Sequence, residues 1–278
     1  MESTAPPFRP LSVSDLVDET FQMYRRNFLL FISITAVLVV PLAAIHVLQE
    51  IAVQRQSTTS GIVGVSFMSL VVILLRYLAD LAVLTAVIYA ASEIRMGRKP
   101  SISEAYFNGM ERFAAVIRVS LLLVVALGLI CITIIGIPFA IYLGVAWALA
   151  VYVAVLENEG AWDSAKRSRD LVKGNWWRVL GVTFLIGLIV FLVQAMFAIP
   201  SALLNMPVQF FSSSTTSSAS AITISTTLDT IGTIVTGPII YIACLLLYYD
   251  LRARKEGLDL ELMADQSRMD AQTAAYHP

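Results

Sequence analysis

Apolar positions along this chain fall into long unbroken runs separated by short polar, mostly basic segments. That is neither the two-residue alternation of a half-buried strand nor the three-to-four-residue stripe of a soluble helix. A helix crossing a hydrocarbon core of about 30 Å needs roughly 20 mainly apolar residues, because its backbone polar groups must be bonded internally. Six segments meet that requirement: 28–48, 71–91, 113–135, 138–156, 179–199 and 231–249. The pattern predicts an all-α polytopic membrane protein with six transmembrane helices.

Local signals refine the spans. Pro41 predicts a kink in the first span. The apolar run 62–94 is long for one crossing and holds Arg76 and Asp80, so its first part is expected as an extramembrane or interfacial lead-in. Gly136-Ile137-Pro138 predicts a tight turn between the third and fourth spans. Pro200 is expected to open a long loop that includes the polar stretch 212–218. Gly237-Pro238 interrupts the sixth span, and Tyr248-Tyr249 at its end reads as an interfacial anchor.

Composition agrees with a membrane location: 58% of the 278 residues are hydrophobic and 14% are charged. Soluble domains carry about 25% charged residues. With net charge −1 and mean hydropathy +0.77, an ordinary soluble domain, a disordered or collagen-like chain and a basic nucleic-acid binder are all excluded. Cys131 and Cys244 lie in apolar runs without ligand-spaced partners, and read as buried small hydrophobes rather than a disulfide or zinc site. The two histidines, His46 and His277, are far apart in the sequence, so no metal or cofactor is expected. The opening MESTAPPFRP lacks the basic and apolar regions of a cleaved signal peptide.

Charge placement gives an orientation. Of the 19 Lys and Arg residues, one side takes Arg9, Arg25 and Arg26, then Arg95, Arg98, Lys99 and Arg112. The same side takes Lys166, Arg167, Arg169, Lys173 and Arg178, then Arg252, Arg254, Lys255 and Arg268, with Arg118 just inside the third span. The other loops hold only Arg55, while Arg76 is within a span. Positive charge is retained on the cytoplasmic side, so both termini are expected there, in the cytoplasmic membrane of a prokaryote. Residues 1–257 form a single membrane domain and 258–278 a polar cytoplasmic tail.

The segments preceding the odd-numbered spans resemble one another. Ser12-Val13-Ser14-Asp15 and Ser101-Ile102-Ser103-Glu104 fit the helix-start pattern in which a hydroxyl and a carboxylate cap early amides, and Gly160-Ala161-Trp162-Asp163 holds the equivalent place. Asp15 and Asp163 are followed twelve residues later by Asn27 and Asn175, then by Phe28 and Trp176; the middle copy is shorter. In the first copy Val13, Val17, Phe21, Tyr24 and Phe28 recur at helical spacing. In the third, Trp162, Ala165, Val172 and Trp176 share one side and Lys166, Arg169 and Lys173 another. These patterns predict interfacial amphipathic helices on the cytoplasmic face; docking on the protein's own loops is the alternative. Three such helices, each leading a hairpin, imply a pseudo-threefold repeat about the membrane normal.

Few residues suggest chemistry. Arg76 and Asp80 lie four apart on one helix face, either as an ion or headgroup contact inside the bundle or as a structural pair near the outer boundary. Lys166, Arg169 and Lys173 are candidate lipid-headgroup contacts, or else only the charges that set topology. Gln194 and Trp147 read as packing or interhelical hydrogen-bond residues rather than ligands, and Gly61-Ile62-Val63-Gly64 as the entrance to a span. No phosphate loop, nucleophile elbow or paired catalytic carboxylates appear, so no enzymatic activity is expected.

Three stretches carry a family likeness. Arg9-Pro10-Leu11-Ser12-Val13 with Tyr24-Arg25-Arg26-Asn27-Phe28 forms the first. Residues 157–177, with Ser168, Leu171-Val172-Lys173-Gly174 and Trp176-Trp177-Arg178, form the second, and Tyr248-Tyr249-Asp250-Leu251-Arg252-Ala253-Arg254-Lys255-Glu256-Gly257 the third. Together they resemble the glycerophosphoryl diester phosphodiesterase membrane-domain or YciC-like proteins of bacteria and archaea. The phosphodiesterase barrel fused to some of them has no room here, so the resemblance implies a membrane domain and not a hydrolase. The leading expectation is a non-enzymatic membrane domain that binds lipid or partner proteins, including copies of itself, and supports envelope homeostasis. The alternative is a small-solute or lipid transporter or channel with a polar path around Arg76, Asp80 and the breaks at Pro41 and Pro238.

Overall fold

The computed structural model describes residues 11–56, 62–211 and 219–256. The expectations for residues 1–10 (including the Arg9-Pro10 motif), Gly61, the polar stretch 212–218, Gly257, the tail 258–278 and His277 lie outside the described residues. All regular structure among the described residues is helical, in the order α1 (Val13–Arg26), α2 (Phe28–Gln56), α3 (Ile62–Arg95), α4 (Ile102–Cys131), α5 (Gly136–Ala146), α6 (Ala150–Leu156), α7 (Ala161–Val172), α8 (Trp176–Phe211) and α9 (Ala219–Glu256). Six helical segments are long and apolar enough to cross a membrane: Phe28–Val53, Phe67–Arg95, Ile102–Cys131, Gly136–Leu156, Trp176–Leu203 and Ser220–Lys255. The chain is a multi-pass, all-α membrane protein.

Local sequence explains the helix starts. Ser12 Oγ accepts from the Asp15 amide at 3.1 Å while Asp15 Oδ2 accepts from the Ser12 amide at 3.1 Å. Ser101 and Glu104 repeat this exchange at 3.2 and 2.7 Å, so both starts are capping boxes. Gly160 begins α7 without a side-chain cap.

The helices are longer than the apolar runs. At 1.5 Å per residue the 38 residues of α9 extend about 57 Å, well beyond a hydrocarbon core of about 30 Å. Pro200 does not open a loop: α8 continues through it to Phe211, and α9 begins at Ala219, so most of the expected loop is helix. Hydropathy sees only membrane-compatible residues, whereas α9 is already helix over 219–230, before its core crossing. Likewise α3 is continuous from Ile62, with no separate lead-in. The fourth span, by contrast, is broken into α5 and α6 at Trp147-Ala148-Leu149, and the turn before it falls at Ile132-Thr133-Ile134-Ile135 rather than at Gly136-Ile137-Pro138.

Helix α9 is the central element, packing against α8, α2, α1 and α3. It runs antiparallel to α8: contacts join Arg178 to Asp250, Gln194 to Thr236 and Ser201 to Asp229. A side chain at Gly232 would meet Gln194 Oε1 at 2.8 Å, so this glycine permits the close approach. Gly109 plays the same part between α4 and α3, facing the Ala86 backbone.

Among the described residues, burial is concentrated at one end of the bundle. Buried residues of α2 are Phe31, Ile34, Thr35 and Val39; those of α4 fall within 105–120; those of α3 and α9 lie mainly in 81–92 and 236–253. Each set occupies the half of its helix next to the Lys- and Arg-rich connections, here called the basic end. Toward the opposite end, α3, α4 and α8 expose side chains such as Leu70, Leu129 and Phe191. Hydrocarbon solvates those groups without cost, so helices there have little drive to pack tightly.

The three lead-ins are not alike. Helix α1 breaks from α2 at Asn27, whose Nδ2 donates to the Met23 carbonyl, and α7 breaks from α8 at Gly174-Asn175. The middle lead-in has no break, because Val116 stands twelve residues after Glu104 and α4 runs on uninterrupted. The first and third lead-ins thus end in a break before the span, whereas the shorter middle one runs straight into it. The inward face of α1 is Leu16, Thr20 and Tyr24, docked on α9, while Val13 and Phe28 are exposed. Of the face expected from spacing, Tyr24 is buried and Val17 and Phe21 pack against the core, whereas Val13 and Phe28 stay exposed.

Candidate functional site

The last turns of α9 gather three polar clusters at the basic end. Asp250 has a fully buried side chain, and its Oδ1 accepts from the Leu11 amide at 2.7 Å. Its Oδ2 accepts from Arg178 Nη2 at 2.9 Å, and Arg254 Nε reaches both oxygens at 3.1 Å. Both guanidiniums also donate to the Leu11 carbonyl, at 2.6 and 2.7 Å. A buried carboxylate is tolerable only when its charge and lone pairs are met, and here two cations and an amide meet them. The clasp joins the entrance of α1, the start of α8 and the end of α9.

Tyr248 donates to Glu157 Oε1 at 2.5 Å, and Arg167 Nε donates to Glu157 Oε2 at 3.0 Å, tying α9 to the α6–α7 connection. Arg95 pairs with Glu19 of α1, and its guanidinium lies 5.9 Å from the Tyr249 ring centroid. The tyrosine pair is thus drawn into the protein, with Tyr248 wholly buried, rather than left as an interfacial anchor. Tyr24, near the end of α1, donates its hydroxyl to the Val235 carbonyl at 2.8 Å, close to Pro238, which lies within the continuous helix α9 rather than interrupting it. Burial pushes this phenol up to about 12 from its ordinary 10.

Helix α7 has two faces. Ser164, Ala165, Ser168, Leu171 and Val172 pack inward; Trp162, Lys166, Arg169 and Lys173 are exposed, as are Asp163 and Asp170. Trp162 thus shares the basic side, with Lys166 Nζ 5.9 Å from its ring, and not the side of Ala165 and Val172. Ser168 enters the break between α5 and α6, donating to the Ala146 carbonyl at 2.8 Å and accepting from the Leu149 amide at 3.2 Å. It supplies partners that a broken helix loses. Next to this break, α5, α7 and the first turn of α8 enclose a cavity of about 230 Å³, whose lining includes Tyr142, Ala146, Arg169, Lys173 and Trp176.

The intramembrane candidates lie elsewhere. Arg76 is exposed and Asp80 half-buried on α3, Arg76 being about 28 Å of helix rise from Arg95. That distance, close to one hydrocarbon thickness, sets Arg76 apart from the polar clusters at the basic end. Trp147 caps the end of α5, and Gln194 accepts from Thr236 at 3.1 Å. Cys131 is exposed at the end of α4 rather than buried, while Cys244 is half-buried; both are free thiols. Among the described residues no cluster of three His, Cys, Asp or Glu side chains could hold a metal.

Sequence reasoning named Ser168 and Asp250 only within family-like motifs and Arg178 also among the cations that set orientation, while Glu157 only opened one of those motifs and was given no role. A detectable signal was Asp250 closing an apolar span with Arg254 four residues on, the spacing of an ion pair on one helix face. A family model matches residues 104–263, more than half of the chain, from the first turn of α4 to beyond α9. The chain belongs to the family described as a domain of unknown function (DUF8558). The DUF8558 match contains the basic face of α7, Ser168, Arg178 and Asp250, whereas α1 to α3 precede it. Nothing in the fold ties the chain specifically to the phosphodiesterase membrane-domain or YciC-like proteins. No curated protein and no solved structure matches it.

Proposed function

We propose that this DUF8558 protein is a non-enzymatic membrane domain that recruits anionic lipid at its basic end and supports envelope homeostasis. Its termini face the cytoplasm of a prokaryotic cell, where anionic headgroups attract cations. The observation that carries this reading is the outward face of α7, where Trp162, Lys166, Arg169 and Lys173 remain exposed while the opposite face is locked into the bundle. Fixed cations beside an indole suit a headgroup layer. Partner proteins or further copies of the chain are bound through the same membrane-embedded body. A distant relationship with the phosphodiesterase membrane-domain proteins rests on the three sequence stretches alone, while descent from a threefold repeat draws support from the capping boxes and from Asn27 and Asn175 at two equivalent breaks.

The test is the lipid retained on purification of the triple variant Lys166→Gln, Arg169→Gln, Lys173→Gln. Loss of phosphatidylglycerol relative to phosphatidylcholine is expected; unchanged retention would refute lipid recruitment by this face. The half-burial of Asp80 favours a second reading, passage of a small solute or lipid. Proteoliposome flux that disappears in Asp80→Asn would replace recruitment by transport. Reporter fusions at each terminus test the orientation, and a periplasmic signal from either would overturn it.

A further inference from the structure

We infer that the cavity between α5, α7 and the start of α8 seats one phospholipid, with its phosphate between Arg169 and Lys173 and the start of its acyl chain against the Tyr142 and Trp176 wall. The inference rests on the lipid-recruiting reading and adds to it a single stoichiometric site. Its volume, about 230 Å³, equals roughly seven or eight waters at about 30 Å³ each. That accommodates a phosphate with its glycerol but falls short of the roughly 300 Å³ at which sites for whole drug-sized ligands begin.

The lining is matched to such a molecule. Arg169 in the last turn of α7 and Lys173 at its C-cap supply two full positive charges. The carboxyl end of α7 opposes an anion with only about half a charge, and the amino end of the 36-residue helix α8 offsets even that. The apolar wall is held in place: the Tyr142 and Trp176 rings stack at 5.8 Å, and Trp176 Nε1 donates to the Tyr142 carbonyl at 3.2 Å. Leu143 and Ala146 continue this wall. Helix α8 packs chiefly on α9 and touches α5 only sparsely, which leaves a lateral path for an acyl chain leaving the cavity. Gly174, at φ +88°, turns the chain sharply beside the phosphate position and has open space around it.

The full chain, purified in a neutral detergent, is titrated with short-chain phosphatidylglycerol, short-chain phosphatidylcholine and inorganic phosphate, and binding is read by native mass spectrometry and by thermal shift. One phosphatidylglycerol is expected to bind saturably, with phosphatidylcholine at least about tenfold weaker. The variant Arg169→Gln with Lys173→Gln should weaken phosphatidylglycerol by at least about tenfold, as should Leu143→Trp, which fills the cavity without changing charge. Lys99→Gln, an exposed cation elsewhere at the basic end, should leave binding unchanged. Because Arg169 is exposed, its substitution also reports if Leu143→Trp does not fold. Graded, non-saturating binding, or full binding by a folded Leu143→Trp, would overturn the single site while leaving recruitment by the broad basic face intact. Inorganic phosphate binding as tightly as the lipid would overturn a lipid site in favour of a free-phosphate site. No binding of any lipid by the unaltered protein would overturn both readings.

Discussion

Replacing Asp250 with alanine tests whether the clasp at the end of α9 holds the basic end together. The substitution removes the acceptor for the Leu11 amide and for two guanidiniums. Stripping one partner from a fully buried ion pair costs about 3–5 kcal/mol. Here Arg178 and Arg254 keep 19% and 31% of their side-chain surface, so water solvates them in part and reduces that figure. The orphaned amide adds back about 1–3 kcal/mol. A net loss of about 2–4 kcal/mol follows for Asp250→Ala, and about 1–2 kcal/mol for Asp250→Asn, which keeps an acceptor but not the charge.

Unfolding in detergent, followed by emission of Trp176 and Trp177 beside Arg178, measures the loss. A cysteine placed at Thr20, which is fully buried where α1 meets the bundle, should label faster in Asp250→Ala as α1 loosens. The pair is also expected to couple: Asp250→Ala with Arg178→Ala should cost less than the two single losses combined, by about 1–3 kcal/mol. Unfolding within about 0.5 kcal/mol of the unaltered protein, or strict additivity in that cycle, would refute the clasp as a source of stability.

Ser168→Ala should cost about 1–3 kcal/mol, because it orphans the Leu149 amide and the Ala146 carbonyl at the α5–α6 break; a thermal melt unchanged in detergent would show that the break satisfies itself. In Gly136→Ala the new methyl would lie 1.8 Å from the Ile130 carbonyl oxygen, which forces the α4–α5 turn to shift, whereas Gly128→Ala meets open space. Melting should therefore drop for the first and hold for the second, and equal melting would remove the steric argument. The Tyr24 phenol is raised from 10 to about 12, so its neutral form is favoured in the folded protein. Its contribution is complete below pH 10 and is lost as pH rises toward 12, by linkage. A plot of stability against pH should lose that alkaline component in Tyr24→Phe, and an identical plot would argue against it.

How far the fold was legible in the sequence follows from what each part demands of its residues. Hydrocarbon imposes one requirement on a span, apolar length, and the six runs carry it openly. Ends of spans carry no such signal. Pro200 opens a loop in water-based reasoning, yet α8 passes through it, since a proline loses one backbone bond that a long helix survives. The Asn27 break was readable because an asparagine side chain can satisfy a terminal carbonyl. The Ser168 contact was not, because it depends on α7 folding back on a break in α5 and α6 that no local residue announces. Arg76 and Asp80 attracted notice as charges within an apolar run, but the packed polar clusters draw on residues from outside the spans, where a charge is ordinary and its partner is distant in sequence. Asp250 and Leu11 are 239 positions apart.

The one-sided burial has a physical reason that also bears on function. Between helices in lipid, apolar contact gains little over contact with acyl chains, so tight packing there needs small residues or polar bonds. Gly232 against Gln194 is such a point, and toward the far end Gln49 with Ser69 and Ser201 with Asp229 are others. At the basic end α1 and α7, which lie outside the spans, add apolar surface that water would otherwise cover, and burying it is favourable. Stability of the assembly therefore resides in the same end that bears Arg169 and Lys173. A ligand bound there adds to a rigid base, while the far halves of α3, α4 and α8 stay free to accommodate lipid between them. Phosphatidylglycerol should accordingly slow hydrogen exchange at α7 and the first turns of α8 and leave α3 residues 67–77 unchanged. Protection confined to residues 67–77 would place the lipid contact at the opposite end and refute this division of labour.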